Sequence, residues 1–208
     1  MRVESGGGWT NALTCVGELM KSKNRTYSFA LVLSGISEPD GFIEDALYEA
    51  GCDDALLSFR AGTAYLDFDR EAPHLEQAIL SAVRDIEHAA DRLSVARVEP
   101  GDQVTASEIA RRAGLTREYI RLLVEGKRGA GHFPAPHSGI TGKTLVWSWS
   151  EVAPWLLEHG VIDDKDLVDA ATVVRDINEA LELRRDPPAR TRRLKYLREL
   201  KVIRPCHD

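Results

Sequence analysis

The chain has 208 residues, enough for one large domain or two small ones with hydrophobic cores of their own. Hydrophobic residues make up 43% and charged residues 29% of the chain, which is the range of ordinary globular proteins. The sequence contains no run of about 18 apolar residues that would indicate a membrane span, and its N-terminus lacks the apolar core of a signal peptide. We therefore expect a cytoplasmic protein with no membrane partner. The three cysteines are far apart, which favours reduced thiols over a disulfide framework.

Charge is distributed unevenly along the chain, whose net charge is -6. Residues 27–104 contain 5 Lys/Arg and 16 Asp/Glu, a net charge of -11, whereas residues 105–146 contain 7 Lys/Arg and 3 Asp/Glu, a net charge of +4. Binding of nucleic acid depends on a local cationic surface rather than on the charge of the whole chain. The basic segment is therefore a candidate for contact with phosphates.

The first 100 residues predict a leader followed by an α/β module. Residues 1–26 are glycine-rich and polar at their start, which predicts a flexible leader, and Met20 is interpreted as the true start of the protein. Periodicity then predicts strands over residues 27–33, 55–60, 63–68 and 93–98, and helices over residues 41–50 and 73–89. The order β-α-β-β-α-β is typical of a ferredoxin-like sandwich. We therefore expect an α+β fold in which residues 27–99 form a ferredoxin-like module for dimerisation or effector sensing.

The next segment predicts two short helices separated by a glycine turn. Thr105, followed by Glu108 three residues later, has the spacing of a capping box at the first helix. Gly114 permits the positive φ of a sharp turn. Thr116 is placed to cap the second helix. These signals predict a helix-turn-helix, for which the alternative is an ordinary pair of packed helices with solvated charges.

The second helix has an apolar inner side and a charged outer side. Its inner side is predicted to carry Ile120, Leu123 and Val124. Its outer side is predicted to carry Arg117, Glu118, Arg121 and Glu125. A DNA major groove admits one helix, where either arginine can make the bidentate contact with guanine and Glu118 can accept a hydrogen bond from cytosine. Thr116 and Tyr119 are placed to contact phosphates.

The residues that follow strengthen the DNA-binding hypothesis. After the second helix come Glu125, Gly126, Phe133, Pro134 and Pro136, then a glycine-containing hairpin, then Trp147, Ser150, Glu151, Val152, Trp155 and Leu156. This pattern resembles the winged helix-turn-helix of excisionase-like and MerR-type DNA-binding domains over residues 103–160. The hairpin tip would form the wing, with Lys143 and Thr144 near phosphates, and Lys127 and Arg128 would add contacts to the DNA backbone. Ser150 is predicted to cap the closing helix.

The whole layout also resembles a group of uncharacterised actinobacterial helix-turn-helix proteins. Residues 161–208 are predicted to form C-terminal helices, one over residues 163–182 and a short basic one over residues 190–201, separated by Pro187-Pro188. The apolar stripe from Leu167 to Leu181 either forms a dimer seam or folds onto the core, and we favour the dimer because two-fold DNA sites are common.

The sequence therefore predicts a sequence-specific binder of double-stranded DNA that acts as a homodimer, regulates transcription as a repressor and is not an enzyme. One alternative is an excisionase-like architectural factor. Another is a protein-interaction module, similar to an antitoxin, whose acidic N-terminal module binds a basic partner. Asp67 and Asp69 could mark a metal-dependent palm-type site, but no phosphate-binding loop accompanies them. His132 and His137 match no zinc spacing, and no metal or cofactor is expected.

Overall fold

The computed structural model describes residues 24–200. The first strand already begins at Arg25, so the prediction of a flexible leader is wrong for Arg25 and Thr26. The remainder of that leader, including Met20, lies outside the described residues apart from Asn24.

The fold is α+β, as predicted, and its first part is a four-stranded antiparallel sheet with two helices. The strand order is β2-β3-β1-β4, and each pair of neighbours is antiparallel. Positive φ angles at Ala61 and Gly62 allow the tight hairpin that joins β2 to β3. The elements are β1 (Arg25–Ser34), α1 (Gly41–Glu49), β2 (Ala55–Arg60), β3 (Thr63–Ala72), α2 (Leu75–Ala89) and β4 (Ser94–Glu99).

The second part is mainly helical. Its elements are β5 (Gln103–Val104), α3 (Ala106–Arg112), α4 (Arg117–Val124), β6 (Trp147–Ser148), α5 (Trp149–Glu158), α6 (Lys165–Arg185) and α7 (Pro187–Glu199). β5 pairs with β6, so the segments that enter and leave the helix pair are held together. Pro187 opens α7, because the first position of a helix needs no backbone N–H donor. Among the helices of residues 24–200, none is both long enough and apolar enough to cross a membrane.

Residues 24–200 form two hydrophobic cores. The first lies between one face of the sheet and α1 and α2, where Phe29 and Phe68 stack with ring centroids 5.3 Å apart. The second lies between α3, α4 and α5 and includes Trp147, Trp149 and Trp155. In β3 the core-facing residues alternate with exposed ones, so Asp67 and Asp69 lie on the opposite, open face of the sheet.

The long helix α6 contributes to both cores. Ala171 is buried in the second core, whereas Ile177 and Leu181 are buried in the first. Asn178 accepts a hydrogen bond from the backbone N–H of Val98 at 2.7 Å and donates one to the same residue's carbonyl at 3.0 Å. The helix thus satisfies backbone groups on the edge strand β4. The apolar stripe folds onto the two cores of its own chain, which is the second of the two alternatives above.

A buried arginine joins β3 to α2 and to the loop before β2. Arg70 donates to both carboxylate oxygens of Asp54 at 2.8 and 2.9 Å, to Asp85 at 2.5 Å and to the carbonyl of Gly51 at 2.7 Å. Burial raises the pKa of the neighbouring Cys52 thiol to about 11, so this thiol stays protonated and unreactive at neutral pH. The cluster is not among the features predicted from the sequence, where its one signal is the core-facing position of Arg70 in the alternation of β3.

Candidate nucleic-acid interface

Local capping determines where α3 and α4 begin. The Thr105 hydroxyl accepts a hydrogen bond from the N–H of Glu108 at 3.3 Å, and the Thr116 hydroxyl accepts one from Tyr119 at 3.1 Å. Between the helices, Gly114 has a φ of +65°, a conformation that glycine adopts without strain. Both threonine caps and the glycine turn agree with the sequence-based prediction.

The glutamate of the predicted capping box has different partners. Arg111 donates to Glu108 at 2.6 and 3.0 Å, and Arg112 donates to the same carboxylate at 3.0 Å. These bonds, chiefly those from Arg111, lower the pKa of Glu108 from 4.5 to about 2. The reciprocal half of the capping box is therefore replaced by an arginine clamp on α3.

Glu108→Gln should make the free energy of unfolding less sensitive to a fall in pH. A carboxyl whose pKa is lowered by folding stabilises the protein above its unfolded pKa, and this contribution is lost as the pH falls from 4.5 towards 2. The wild type should therefore lose more stability than the variant between about pH 5 and pH 3. Urea unfolding at the two pH values measures the difference. Glu44→Gln, in the first turn of α1, is the control, and an equal acid response of the wild type and both variants would contradict the expectation.

The inner side of α4 is buried as predicted. Ile120 and Leu123 have 0% and 1% of their surfaces exposed and belong to the second core. Val124 is half-buried and packs against the same core. The opposite side of the helix is therefore available to solvent.

The outer side of α4 carries a closed network of charges. Arg121 donates to both oxygens of Glu118 at 2.6 and 2.8 Å and also to Glu125. Lys127 pairs with Glu125 at 2.7 Å. The hydrogen bond from Arg121 lowers the pKa of Glu118, and the bonds from Lys127 and then Arg121 lower that of Glu125. Two side chains predicted to read bases, Glu118 and Arg121, thus hold each other in the free protein.

Arg117 differs from its neighbour Arg121. It is exposed at the first position of α4, and within residues 24–200 no carboxylate lies within ion-pair distance of its guanidinium. Thr116, directly before it, is also exposed. Arg128 lies over the ring of Tyr119, 4.3 Å from its centroid, so this cation covers one face of the half-buried ring.

The segment predicted to form the wing is a loop closed by an isolated β-bridge. Ser138 and Val146 form an isolated antiparallel bridge with two hydrogen bonds of 3.1 Å. Gly139 has a φ of +84°, and a Cβ there would lie 1.9 Å from the carbonyl oxygen of Thr144, so only glycine fits. Lys143 and Thr144 are exposed on this loop. In the described part of the chain, no hydrogen bond or ion pair joins these two side chains to α4.

The cap of the closing helix comes from the linker. α5 begins at Trp149, so the prediction that Ser150 is its N-cap is wrong. Asp102 accepts hydrogen bonds from the N–H groups of Trp149, through its carbonyl, and Ser150, through its carboxylate, each at 2.7 Å. A carboxylate at a helix N-terminus is favourable because it meets free N–H groups and the positive end of the helix dipole. Asp102 therefore attaches the linker after β4 to the start of α5.

Other candidate sites have less structural support. Asp69 accepts a hydrogen bond from the hydroxyl of Ser28 at 2.6 Å, and Asp67 is exposed beside it. His132 and His137 are also exposed. Across residues 24–200, no group of three or more His, Cys, Asp or Glu side chains is placed to hold a metal ion.

Comparison with known proteins leaves the chain without an assigned family. No protein-family model matches it, and neither a curated protein nor a solved structure does so. The candidate interface is therefore defined by the contacts of residues 105–146 alone.

Proposed function

We propose that this protein binds double-stranded DNA in a sequence-specific manner and regulates transcription as a repressor. In this proposal α3 and α4 form the helix-turn-helix, the loop of residues 138–146 forms the wing, and the ferredoxin-like part of residues 25–99 supports a homodimer. The observation that carries the proposal is the exposed guanidinium of Arg117 at the start of α4. Residues at the start of a recognition helix are the ones that reach base edges.

The charge distribution favours one orientation of the protein on a duplex. Residues 27–104 have a net charge of -11 and residues 105–146 a net charge of +4. The acidic part repels phosphates, so an approaching duplex is directed to the basic segment. Arg128 and Lys143 are both exposed there and can neutralise phosphates.

The ion pairs of Arg121 supply a mechanism for selectivity. Glu118 offers this guanidinium two acceptor oxygens, and Glu125 offers a third. A guanine edge offers two acceptors, N7 and O6, in a geometry that also suits a guanidinium. When Arg121 leaves its carboxylate partners, guanine replaces two of the three acceptors, whereas an adenine or thymine edge provides only one acceptor. The carboxylates thereby penalise binding to sites that lack a guanine at the matching position.

In vitro selection from random duplexes with the full chain tests the proposal. We expect one sequence class to be enriched, and the chain should bind this selected duplex about 1,000-fold or more tightly than random DNA at about 150 mM salt. A chain that shifts neither selected nor random duplexes at about 50 mM salt would overturn it. Strong bending of the selected duplex without an effect on transcription would indicate the architectural alternative.

Lys143→Ala should weaken binding to all duplexes alike. A phosphate contact carries no sequence information, so its loss should lower affinity uniformly and reduce the slope of log affinity against log salt by about one. Gel-shift titrations at several salt concentrations measure both quantities. Lys165→Ala, at the start of α6, is the control. Loss of affinity for the selected duplex only would show that the wing reads sequence rather than phosphate.

A second candidate function is binding of a basic protein. The outer side of α1 exposes two large aromatic side chains, Phe42 at 89% and Tyr48 at 68%. They lie among the carboxylates of Glu44, Asp45 and Glu49 on the same helix. Exposed aromatic side chains surrounded by carboxylates are typical of a protein interface. Failure to bind any duplex, combined with co-purification of a basic chain, would favour this function.

A further inference from the structure

A cleft of about 300 Å³ lies between the two parts of the molecule. Phe29 of β1 forms one wall and Trp149 of α5 another, while Leu167, Ala171 and Val174 of α6 line the side between them. Its volume is at the lower end of the range that small-molecule sites occupy in proteins. The cleft therefore has room for one compact molecule of one or two rings.

The apolar walls of this cleft lack packing partners on one side. Phe29, Trp149 and Ala171 are each at least nine-tenths buried, yet all three border the open volume. Protein interiors are normally packed as densely as organic crystals, and side chains beside a void lose dispersion contacts. An apolar, flat ligand would restore these contacts, and the two aromatic residues are suited to packing against its rings.

Two arginines contribute to the lining of the cleft. Arg111 and Arg112 share the single carboxylate of Glu108. Arg112 is held in place by a 2.9 Å hydrogen bond to the carbonyl of Gly101, and its guanidinium carbon lies 5.6 Å from the Trp149 ring centroid. A planar guanidinium fixed in this way can receive a second carboxylate through its remaining N–H groups.

Two carboxylates, Glu99 and Asp102, also line the cleft, and both already accept hydrogen bonds. Glu99 accepts hydrogen bonds from Arg97 at 2.8 Å and from the N–H of Gly101 at 2.9 Å. Asp102 accepts its hydrogen bond from the N–H of Ser150. Neither group forms an ion pair with Arg111 or Arg112 among residues 24–200. The N–H groups of these two guanidiniums that do not bond to Glu108 or Gly101 are therefore left to receive an anionic group.

We propose that the cleft binds an aromatic carboxylate of one or two rings. The rings occupy the volume between Phe29 and Trp149, and the carboxylate faces Arg111 and Arg112. Because the walls come from both parts of the chain, an occupant holds the sheet and the helix-turn-helix in one relative placement. Such a ligand would regulate DNA binding, an inference that rests on the proposed function. Binding of the ligand itself does not depend on that function.

Titration of the full chain with 2-naphthoate, without DNA, tests this site. We expect saturable binding below about 1 mM, measured by calorimetry. In ¹⁵N-edited spectra the indole N–H signal of Trp149 should shift most, while those of Trp147 and Trp155, which do not line the cleft, serve as internal controls. The neutral analogue 2-naphthamide should bind about tenfold more weakly, because it lacks the charge that faces the arginines.

A matched pair of variants on α6 locates the site. Ala170→Phe places a ring inside the cleft and should weaken 2-naphthoate binding about tenfold or more, whereas Ala180→Phe, on an exposed position of the same helix, should leave it unchanged. Absence of 2-naphthoate binding to the wild type, or equal binding by both variants, overturns the site. Equal affinity for 2-naphthamide overturns the ligand class. Each result is independent of DNA and leaves the proposed function to its own test.

Discussion

Arg117→Ala should lower affinity for the selected duplex by about 5- to 150-fold. This loss corresponds to a base contact worth about 1–3 kcal/mol. Affinity for random duplexes should fall much less. Arg117 lies at the start of α4 and has no ion-pair partner within residues 24–200, so in the proposed complex it would contact a base edge without giving up an internal bond. Gel-shift titrations with the selected and a scrambled duplex at fixed salt measure the two losses.

Two further variants make the Arg117 result specific. Arg60→Ala, at the exposed end of β2, is the control and should change neither affinity. Arg121→Ala leaves Glu118 and Glu125 without their shared cation, so it should weaken binding to every duplex through repulsion as well as lower selectivity. If Arg117→Ala preserved the ratio of the two affinities, α4 would not be the helix that reads sequence.

Arg70→Met should lower the free energy of unfolding by about 3 kcal/mol. The variant leaves the carboxylates of Asp54 and Asp85 without their cation beside the first core. Removal of one partner from a buried ion cluster typically costs about 3–5 kcal/mol, and the lower value applies because both carboxylates remain about 30% exposed to water. Urea unfolding monitored by circular dichroism measures the change at constant m-value.

The chain offers controls for the Arg70 cluster. Arg84→Met, on the exposed side of α2, should change stability by less than about 0.5 kcal/mol. Adding Asp54→Asn and Asp85→Asn to Arg70→Met should restore part of the lost stability, because no unpaired charge then remains. A loss below about 1 kcal/mol in Arg70→Met would mean that the cluster is not a stabilising centre of the fold.

The α+β fold and the helix pair were predictable because their signals are local. Thr105 and Thr116 cap helices within three residues of themselves, and Gly114 provides the turn between those helices. The alternation of residue types in β3 matches burial as far as Phe68 but not at the buried Arg70. Such features depend on neighbours in the sequence, so the pattern of residue types is sufficient to predict them.

The state of the candidate interface was harder to predict. Residues three and four positions apart on a helix can pair, so the spacing of Glu118, Arg121 and Glu125 permitted both an internal network and separate contacts with DNA. Only the folded structure shows that the internal network forms in the free protein. The cleft depends on how α6 crosses from one core to the other, for which the sequence contains no local signal.

The path of α6 couples the stability of the two parts of the molecule. Ala171 fills one core, Ile177 and Leu181 fill the other, and Asn178 completes the edge of the sheet. A fragment ending before residue 165 would expose apolar surface on both halves and leave backbone groups of β4 unpaired. We therefore expect the two parts of the molecule to unfold together in one cooperative transition.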